Sequence, residues 1–193
     1  MLPGNSSLAP QRDLLLTQES ILDTLLAEGS LAYAHEVFDF LLDGEFPDAR
    51  KVLLVQEARA EILALPRSPG EEDPDVSSRR QIMSLFRRYT LHRPNQPMRA
   101  DKDYGRCDMR RGLWKWKTRT TRLAGMYYGG PCRFVVAHAG FARGLKRDGK
   151  AIIEQEKAFA DTAAYRLMTI GLSNHSWKCK DPHDGEALPF DLD

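Results

Sequence analysis

Residues 113–138 contain strand-forming segments separated by turn residues, and they define the centre of the predicted fold. Leu113-Trp-Lys-Trp-Lys117 alternates large apolar residues with lysines, which is the period-two pattern of a strand with one apolar and one basic face. Residues 122–128 and 132–138 are further β-favouring runs, and Gly129-Gly130-Pro131 between them is typical of a turn. These segments are predicted to pair as an antiparallel meander of three strands.

The first forty residues carry a helix signal followed by a strand signal. Residues 11–28 have leucines near helical spacing and end before Gly29, so they are predicted to form an amphipathic helix. Residues 31–42 are aromatic-rich and partly alternating, and Val37 and Phe38 within them favour a strand.

Helices are predicted on both sides of the meander. One is opened by Pro47-Asp48 and ended by Pro66, a second follows the polar loop 67–75, and a third follows Gly149. Residues 98–111 are polar and charged and are predicted to be a loop. The apolar stripes are Val52, Val55, Ala58, Ile62 and Leu65 in the first helix, Ile82, Leu85, Phe86 and Tyr89 in the second, and Ile152, Phe159, Ala163 and Leu167 in the third.

The predicted elements give an α+β fold with a small antiparallel or mixed sheet. From residue 31 their order is strand, helix, helix, three-strand meander and helix, preceded by the extra N-terminal helix. The predicted organisation is an N-terminal helical extension over residues 1–30, a domain over residues 31–170 and a polar C-terminal tail over residues 171–193. Leu113, Trp116, Val135 and Phe141 are expected to be buried between the meander and the helices.

The formal net charge is +1, but charge is unevenly distributed along the chain. Residues 1–78 hold 5 Lys/Arg and 15 Asp/Glu, residues 79–150 hold 19 and 4, and residues 151–193 hold 4 and 8. A basic middle segment flanked by acidic ends indicates a polyanionic partner for the middle segment. The alternative is that the basic segment is neutralised by the protein's own acidic face.

The composition, 42% hydrophobic and 28% charged, is that of a globular protein rather than a disordered one. No run of about 18 apolar residues is present, so no membrane span is expected. The first residues lack the basic and apolar regions of a secretory signal. Cys107, Cys132 and Cys179 are scattered and odd in number, which favours reduced thiols in the cytoplasm over a disulfide framework.

No cofactor and no metal site are predicted. His35-Glu36 resembles part of a zinc-protease motif, but the second histidine of that motif is absent. His175, Cys179 and His183 are spaced four apart as soft-metal ligands can be, but the segment offers no clear fourth ligand. The chain also lacks a phosphate-cradling glycine motif and a Gly-x-Ser-x-Gly elbow.

The cations of the meander form a candidate phosphate-binding face. Lys115 and Lys117 are two residues apart and therefore point to the same face of a strand, and Arg122 begins the next strand. Arg143 and Lys146 follow the third strand. Several cations on one face are costly without counter-charge, which a bound phosphate would supply.

These motifs, followed by a helix, resemble those of the RelE/HigB-type toxins, the RelE/ParE superfamily with its Gp49-like members. Leu113-Trp-Lys-Trp-Lys is similar to the family's Leu-Trp/Tyr-Glu-Leu-Arg-like strand, and Arg122-Leu-Ala-Gly-Met-Tyr-Tyr to its Tyr-Arg-Val-x-Tyr-like strand. Arg133-Phe-Val-Val-Ala-His-Ala-Gly-Phe-Ala-Arg-Gly resembles the strand and loop before the closing helix. The chain departs from the family at Lys115, where the family has glutamate, and at Arg143-Gly144, where it has Lys-Lys.

The resemblance implies metal-independent cleavage of messenger RNA, in many members within the ribosomal A site, by a toxin that a cognate antitoxin neutralises. The ribose 2′-OH attacks the adjacent phosphate, so the reaction needs a base, cations that stabilise the phosphorane charge, and an acid that protonates the leaving 5′-oxygen. On this template Arg122 and Arg143 bind the phosphate, and Lys115 and Lys117 act as further cations or proton carriers.

The acid and the remaining RNA-binding residues are assigned on the same template. Tyr128 or His138 is the candidate acid, because histidine titrates near neutral pH, although a histidine at a strand end is commonly structural. Tyr127 and Tyr128 alternate faces, so one of the two rings is expected near the cations, where it offers a surface for base stacking. The other candidate RNA-binding residues are Arg110, Arg111, Arg119, Lys146 and Arg147.

Alternatives to the toxin hypothesis stay open. The chain can be a non-catalytic module of the same fold that binds nucleic acid or the ribosome. It can also be a phage or plasmid accessory protein whose acidic N-terminal part docks a partner protein. Residues 11–28 are expected to pack on the domain or on a partner, or to cover the basic face as an acidic mask, and a homo-oligomer is a further option.

Overall fold

The computed structural model describes residues 19–38, 50–68, 74–91, 98–142 and 149–175, which form an α+β fold around one six-stranded mixed sheet. The helices are α1 (residues 19–27), α2 (Ala34–Phe38), α3 (Gln56–Ala64), α4 (Ser78–Leu91) and α5 (Gly149–Thr169). The strands are β1 (Leu31–Tyr33), β2 (Lys51–Val55), β3 (Tyr104–Asp108), β4 (Leu113–Lys117), β5 (Thr121–Tyr127) and β6 (Arg133–Phe141). A short 3-10 turn, Ser173–His175, follows α5.

The strand order across the sheet is β1-β2-β6-β5-β4-β3. β2 and β6 are parallel, and every other neighbouring pair is antiparallel. The strand predicted over Leu113–Lys117 is confirmed as β4. The next two predicted strands correspond to β5 and β6 with boundaries shifted by one to three residues, and Gly129 and Gly130 between them adopt positive φ angles.

The strand predicted over residues 31–42 is wrong for most of its length. β1 ends at Tyr33, and Val37 and Phe38 lie in the short helix α2, where both are partly buried against the core. Tertiary packing of these side chains therefore outweighs their β propensity. Residues 39–42 lie outside the described part of the chain.

The helix predicted from Pro47 is also wrong in its first half. Val52, Leu53, Leu54 and Val55 belong to β2, and each is at most 3% exposed. A parallel strand covered on both faces needs an unbroken apolar run, which carries no alternation that would distinguish it from a helix. The helix α3 starts only at Gln56, but it ends before Pro66, as expected.

The predicted loop over residues 98–111 contains the edge strand β3, so the sheet is larger than expected. Its sequence, Tyr-Gly-Arg-Cys-Asp, is polar because β3 pairs on one side only, with β4, and few of its side chains enter the core. The element order expected from residue 31 therefore begins at β2 instead. It runs strand, helix, helix, strands and helix, and β3 is added before the meander.

Two helical layers cover the sheet. α4 lies on one face, where Tyr89 contacts Trp116, and Trp116 stacks on Phe134 with ring centroids 4.0 Å apart. α3 and α5 lie on the other face, on either side of His138. The burial expected of Leu113, Trp116 and Val135 is confirmed, whereas Phe141, the last residue of β6, is 47% exposed.

The N-terminal helix packs on the domain, as its leucines predicted. Leu22 and Leu25 of α1 join the main core, and Glu19 forms an ion pair of 2.7 Å with Arg133 of β6. Leu14 and Leu15 of the predicted helix lie outside the described residues. In the described part of the chain, no helix combines the length and apolar character needed to cross a membrane.

Candidate nucleic-acid interface

Lys115, Lys117 and Arg122 lie on one face of the sheet, which we call the cation face. Lys117 is directly opposite Arg122 across β4 and β5, and Lys115 is opposite Ala124. Because side chains alternate along each strand, this register sends all three cations to the side of the sheet that α5 covers. The juxtaposition expected from the sequence is therefore present for these three residues.

Small residues surround the three cations. Gly105 of β3 is opposite Lys115, and Gly140 of β6 is opposite Arg122. A Cβ atom at Gly105 would lie 3.0 Å from Nζ of Lys117, so the glycine leaves the space that the lysine side chain occupies. A Cβ atom at Gly140 would instead lie 3.2 Å from the Phe159 ring, so this glycine leaves room for α5.

Each cation of this face already has an intramolecular partner. Nζ of Lys115 lies 2.5 Å from a carboxylate oxygen of Glu156 on α5, and Nζ of Lys117 donates to the carbonyl oxygen of Asp101 at 2.8 Å. The Arg122 guanidinium donates to the carbonyl oxygen of Thr118 at 2.6 Å, in the turn between β4 and β5, and to that of Thr121, the first residue of β5, at 2.8 Å. A phosphate would therefore compete with Glu156 for Lys115.

The charges of this face act on one another. Burial, together with the positive charges of Lys115 and Arg122, lowers the pKa of the Lys117 ammonium below its usual value. Burial also lowers the pKa of the Arg122 guanidinium. A lysine whose ammonium form is disfavoured by burial and by neighbouring positive charge releases its proton more readily than a solvated lysine.

A cleft of about 480 Å³ opens beside the cation face, at the free edge of β3. Lys115 and Lys117 form one wall, and Asp101, Gly105 and Arg106 form the rest of its polar lining. Asp101 has a positive φ of 60°, which aspartate tolerates better than most residues, and its carbonyl oxygen binds Lys117. The cleft gives both lysines access to solvent.

The other predicted cations are spread over both ends of the sheet. Arg119 is exposed in the turn that Arg122 also contacts, and its backbone N–H donates to Gln81 of α4 at 3.1 Å. Arg110 and Arg111 lie in the β3–β4 turn, at the opposite end of β4 from Lys117. Arg143, Lys146 and Arg147 lie outside the described residues.

The tyrosines expected near the cations are buried. Tyr127 and Tyr128 are both 0% exposed, and burial raises the pKa of the Tyr128 hydroxyl. The hydroxyl of Tyr127 accepts a hydrogen bond from the Trp116 indole N–H, at 3.2 Å, inside the core. Neither ring is exposed for stacking on a base, and the burial of Tyr128 does not favour its predicted role as the acid.

His138 belongs to a cluster that the sequence did not suggest. Its Nδ1 lies 3.0 Å from both carboxylate oxygens of Glu61 on α3, and its ring packs on Phe159 at 4.6 Å. Arg166 of α5 donates to Glu61 at 2.7 Å and to the carbonyl oxygen of Ala137 at 3.0 Å.

Glu61 is the carboxylate at the centre of this cluster. Burial raises the pKa of Glu61, but hydrogen bonds from His138, Arg166 and the Ala139 N–H outweigh burial and lower that pKa to about 2, so Glu61 is an acceptor only. Nδ1 of His138 also lies 3.2 Å from a guanidinium nitrogen of Arg166, so this ring atom sits between the carboxylate and the guanidinium. Glu61 and Arg166 are far apart in sequence, and no local motif relates them to His138.

Among the described residues, no group of three or more histidine, cysteine or acidic side chains is placed to hold a metal ion. His35 lies in α2, while Cys179 and His183 lie outside the described residues. In comparisons with protein families, curated proteins and solved structures, no family model, protein or structure matched the chain.

Proposed function

We propose that the protein is an endoribonuclease of the RelE/HigB toxin type, which cleaves messenger RNA at the ribosome by metal-independent attack of the ribose 2′-OH. The observation that carries the proposal is the register that places Lys117 opposite Arg122, with Lys115 on the same face. Such a toxin acts in the cytoplasm and is held inactive by a cognate antitoxin.

The cation face fits this activity because its positive charges call for a bound anion. Like charges directly opposite each other destabilise a sheet unless a counter-charge is present. Only Lys115 has a carboxylate partner in the described residues, and Lys117 and Arg122 bind backbone carbonyl oxygens instead. A phosphate bound between these side chains would relieve their mutual repulsion and accept charge-assisted hydrogen bonds.

The proposed roles follow from the chemistry of each side chain. Arg122 and Lys115 stabilise the negative charge that develops on the phosphorane. Lys117, whose pKa is lowered, takes the proton of the attacking 2′-OH and passes it to the leaving 5′-oxygen, so that the P–O5′ bond breaks as the 2′-O–P bond forms. Glu156 must leave Lys115 before the phosphate binds, so productive binding includes a small shift of α5 or of the Glu156 side chain.

The element order supports the same proposal. Counted from β2, the chain runs strand, helix, helix, strands and helix, and the first of these strands pairs in parallel with the last. Apart from the additional edge strand β3, this is the element order that the resemblance to the toxin family implies.

The proposal is tested by incubating the purified protein with ribosomes that translate a defined messenger RNA and mapping the new 5′-ends. The parent should produce discrete cuts that persist in the presence of a chelator. Arg122→Ala should lower the cleavage rate by roughly a hundredfold to a thousandfold, the cost of losing one preorganised donor. Arg59→Ala, at an exposed position of α3, is the matched control and should cleave like the parent.

The result that would contradict the proposal is a folded Arg122→Ala protein that cuts as fast as the parent. Thermal unfolding of both proteins is required, because Arg122 also binds the carbonyl oxygens of Thr118 and Thr121.

A second candidate is a non-catalytic protein of phage or plasmid origin that binds RNA or the ribosome through the same face. The burial of Tyr128 and the Lys115–Glu156 ion pair favour it, since both reduce the groups that are free for catalysis. In that case the parent binds RNA in a salt-dependent manner but yields no new 5′-ends.

A further inference from the structure

A groove of about 610 Å³ separates α5 from the β3–β4 turn, on the same side of the sheet as the cation face. Its floor is formed by Leu113, Met126 and Leu167, each 1% exposed. Its volume falls within the range of about 300–1,000 Å³ that small-molecule sites in proteins occupy. An apolar floor with polar groups at the rim is also the usual composition of such sites.

The groove has an exposed aromatic wall. Tyr165 is 65% exposed and Met168 is 58% exposed, and both line the groove from α5. They lie three residues apart and therefore side by side on the helix surface. Large apolar side chains exposed together beside a groove indicate a binding partner rather than an ordinary solvated surface.

Among the described residues, the polar rim of the groove offers one available cation, Arg110, and a hydrogen-bonding amide, Asn174. The Arg111 guanidinium is neutralised by Asp108 and Asp161, each at 2.7 Å. Arg110 is exposed, and its guanidinium makes no hydrogen bond within the described residues. Asn174, which also lines the groove, carries an amide that both donates and accepts hydrogen bonds.

β4 connects the groove to the cation face. Leu113 forms part of the groove floor, while Lys115 and Lys117 of the same strand belong to the cation face. The distance from Leu113 to Lys117 along the strand is about 13 Å, at about 3.3 Å per residue. That span corresponds to roughly four nucleotides at the 3.4 Å spacing of stacked bases, and to fewer in an extended strand.

We propose that this groove binds one base of the single-stranded RNA whose phosphate lies on the cation face. The base stacks on the ring of Tyr165, its edge meets the Asn174 amide, and a neighbouring phosphate binds Arg110. This inference rests on the proposed function and adds a base-binding subsite to it. A peptide would use the apolar floor equally well, but a flat ring, an amide and a cation around one groove together match the chemistry of a nucleotide.

The test uses a short 2′-O-methyl oligoribonucleotide, which binds but cannot be cleaved, with 2-aminopurine placed at each position in turn. Stacking on an aromatic ring quenches the fluorescence of 2-aminopurine. We expect quenching at one position within the bound strand, and loss of that quenching in Tyr165→Ala. The affinity of Tyr165→Ala should fall by about 5- to 150-fold, which corresponds to the loss of one base–aromatic stack.

Two variants separate stacking from other effects. Tyr165→Phe keeps the ring and should retain both the quenching and the affinity. Ile153→Ala removes another exposed apolar side chain of α5, 70% exposed and outside the groove lining, and should behave like the parent. Thermal unfolding of Tyr165→Ala should match that of the parent, because the side chain is largely in solvent.

The outcomes distinguish this inference from the proposed function. Position-specific quenching that depends on Tyr165, in a protein that never cleaves RNA, supports the subsite and contradicts only the nuclease. If the parent cleaves RNA but shows no such quenching, and Tyr165→Ala binds the oligonucleotide as tightly as the parent, the subsite is overturned and the nuclease is not. A protein would then be the partner to test for the groove.

Discussion

Glu61 and Arg166 form an ion pair of 2.7 Å that joins α3 to α5 across β6. The Glu61 carboxylate also accepts the Ala139 N–H at 2.8 Å, and Arg166 donates to the Ala137 carbonyl oxygen at 3.0 Å. Two helices and the strand between them are therefore fixed by one pair of side chains. The register of β6 shifts at this point, between the pairings of Ala124 and Gly125, so these bonds satisfy backbone groups at the irregularity.

Replacing Glu61 with glutamine should destabilise the fold by about 2 kcal/mol. A neutral amide at this position would leave the Arg166 charge without a carboxylate, and breaking a partly buried pair from one side is costly. The expected loss of unfolding free energy is smaller than the full pKa shift of Glu61 implies, because the Glu61 side chain is 27% exposed and water screens the ion pair. Urea unfolding measures the change, and Glu57→Gln, at an exposed position of the same helix, is the control that should unfold like the parent.

The same cluster predicts a loss of stability in acid. The pKa of Glu61 is about 2 in the folded protein and 4.5 ordinarily, so its stabilising contribution is complete above pH 4.5. That contribution should decline as the pH falls from 4.5 toward 2, and the decline should be smaller in Glu61→Gln. Unfolding midpoints measured across this range for both proteins check the prediction, and parallel curves would contradict it.

The sequence predicted the secondary structure correctly where a single periodicity dominates. The Leu-Trp-Lys-Trp-Lys alternation located β4 to the residue, and the stripe that includes Ile82 and Tyr89 located α4. The prediction failed at β2, where no periodicity is present. This strand is buried on both faces, and its unbroken apolar run fits a helix as well as a strand. The prediction also failed at β3, because an edge strand needs few apolar residues.

The candidate site was predictable to the extent that it depends on strand register. Lys115 and Lys117 share a face by alternation alone, but the sequence could not reveal that Glu156 of α5 neutralises Lys115. That contact depends on how a helix 41 residues away packs on the sheet. The cluster of Glu61 with His138 was missed for the same reason, since long-range packing leaves no local pattern.

Glu156→Gln should increase the affinity of the protein for single-stranded RNA. The substitution frees Lys115 for phosphate and removes a carboxylate that lies beside the cation face. The dependence of log affinity on log salt concentration should become steeper by about one unit, as expected when one more phosphate contact forms. Fluorescence anisotropy over a salt series measures both quantities. Glu154→Gln, exposed on the same helix, changes the net charge equally and should have a clearly smaller effect.

Gly125→Ala should destabilise the fold by about 3 kcal/mol or more, the upper range for overpacking. A Cβ at this position would collide with the carbonyl oxygen of Val135 and lie 3.0 Å from the Phe134 ring, neither of which can yield without moving the core. Gly105→Ala is the control. Its Cβ would press on the flexible end of the Lys117 side chain and make an ordinary contact with Asp101, so the change should cost less than about 1 kcal/mol. Comparable unfolding curves for the two variants would show that β5 can shift here.

Lys117→Arg should separate RNA binding from cleavage. Arginine keeps the positive charge opposite Arg122 but stays protonated at any accessible pH, so it cannot carry the proton that Lys117 is proposed to transfer. We therefore expect binding of a 2′-O-methyl oligonucleotide within about threefold of the parent and a loss of cleavage of roughly 100- to 10,000-fold, the range of general acid–base catalysis. Single-turnover cleavage with ribosome-bound messenger RNA measures the second quantity, and Lys102→Arg, at an exposed position, is the control. If Lys117→Arg cleaves at the parental rate, Lys117 acts only through its charge, and the proton must move through another group. His138, the other residue predicted as the acid, is then the first to test, by His138→Gln.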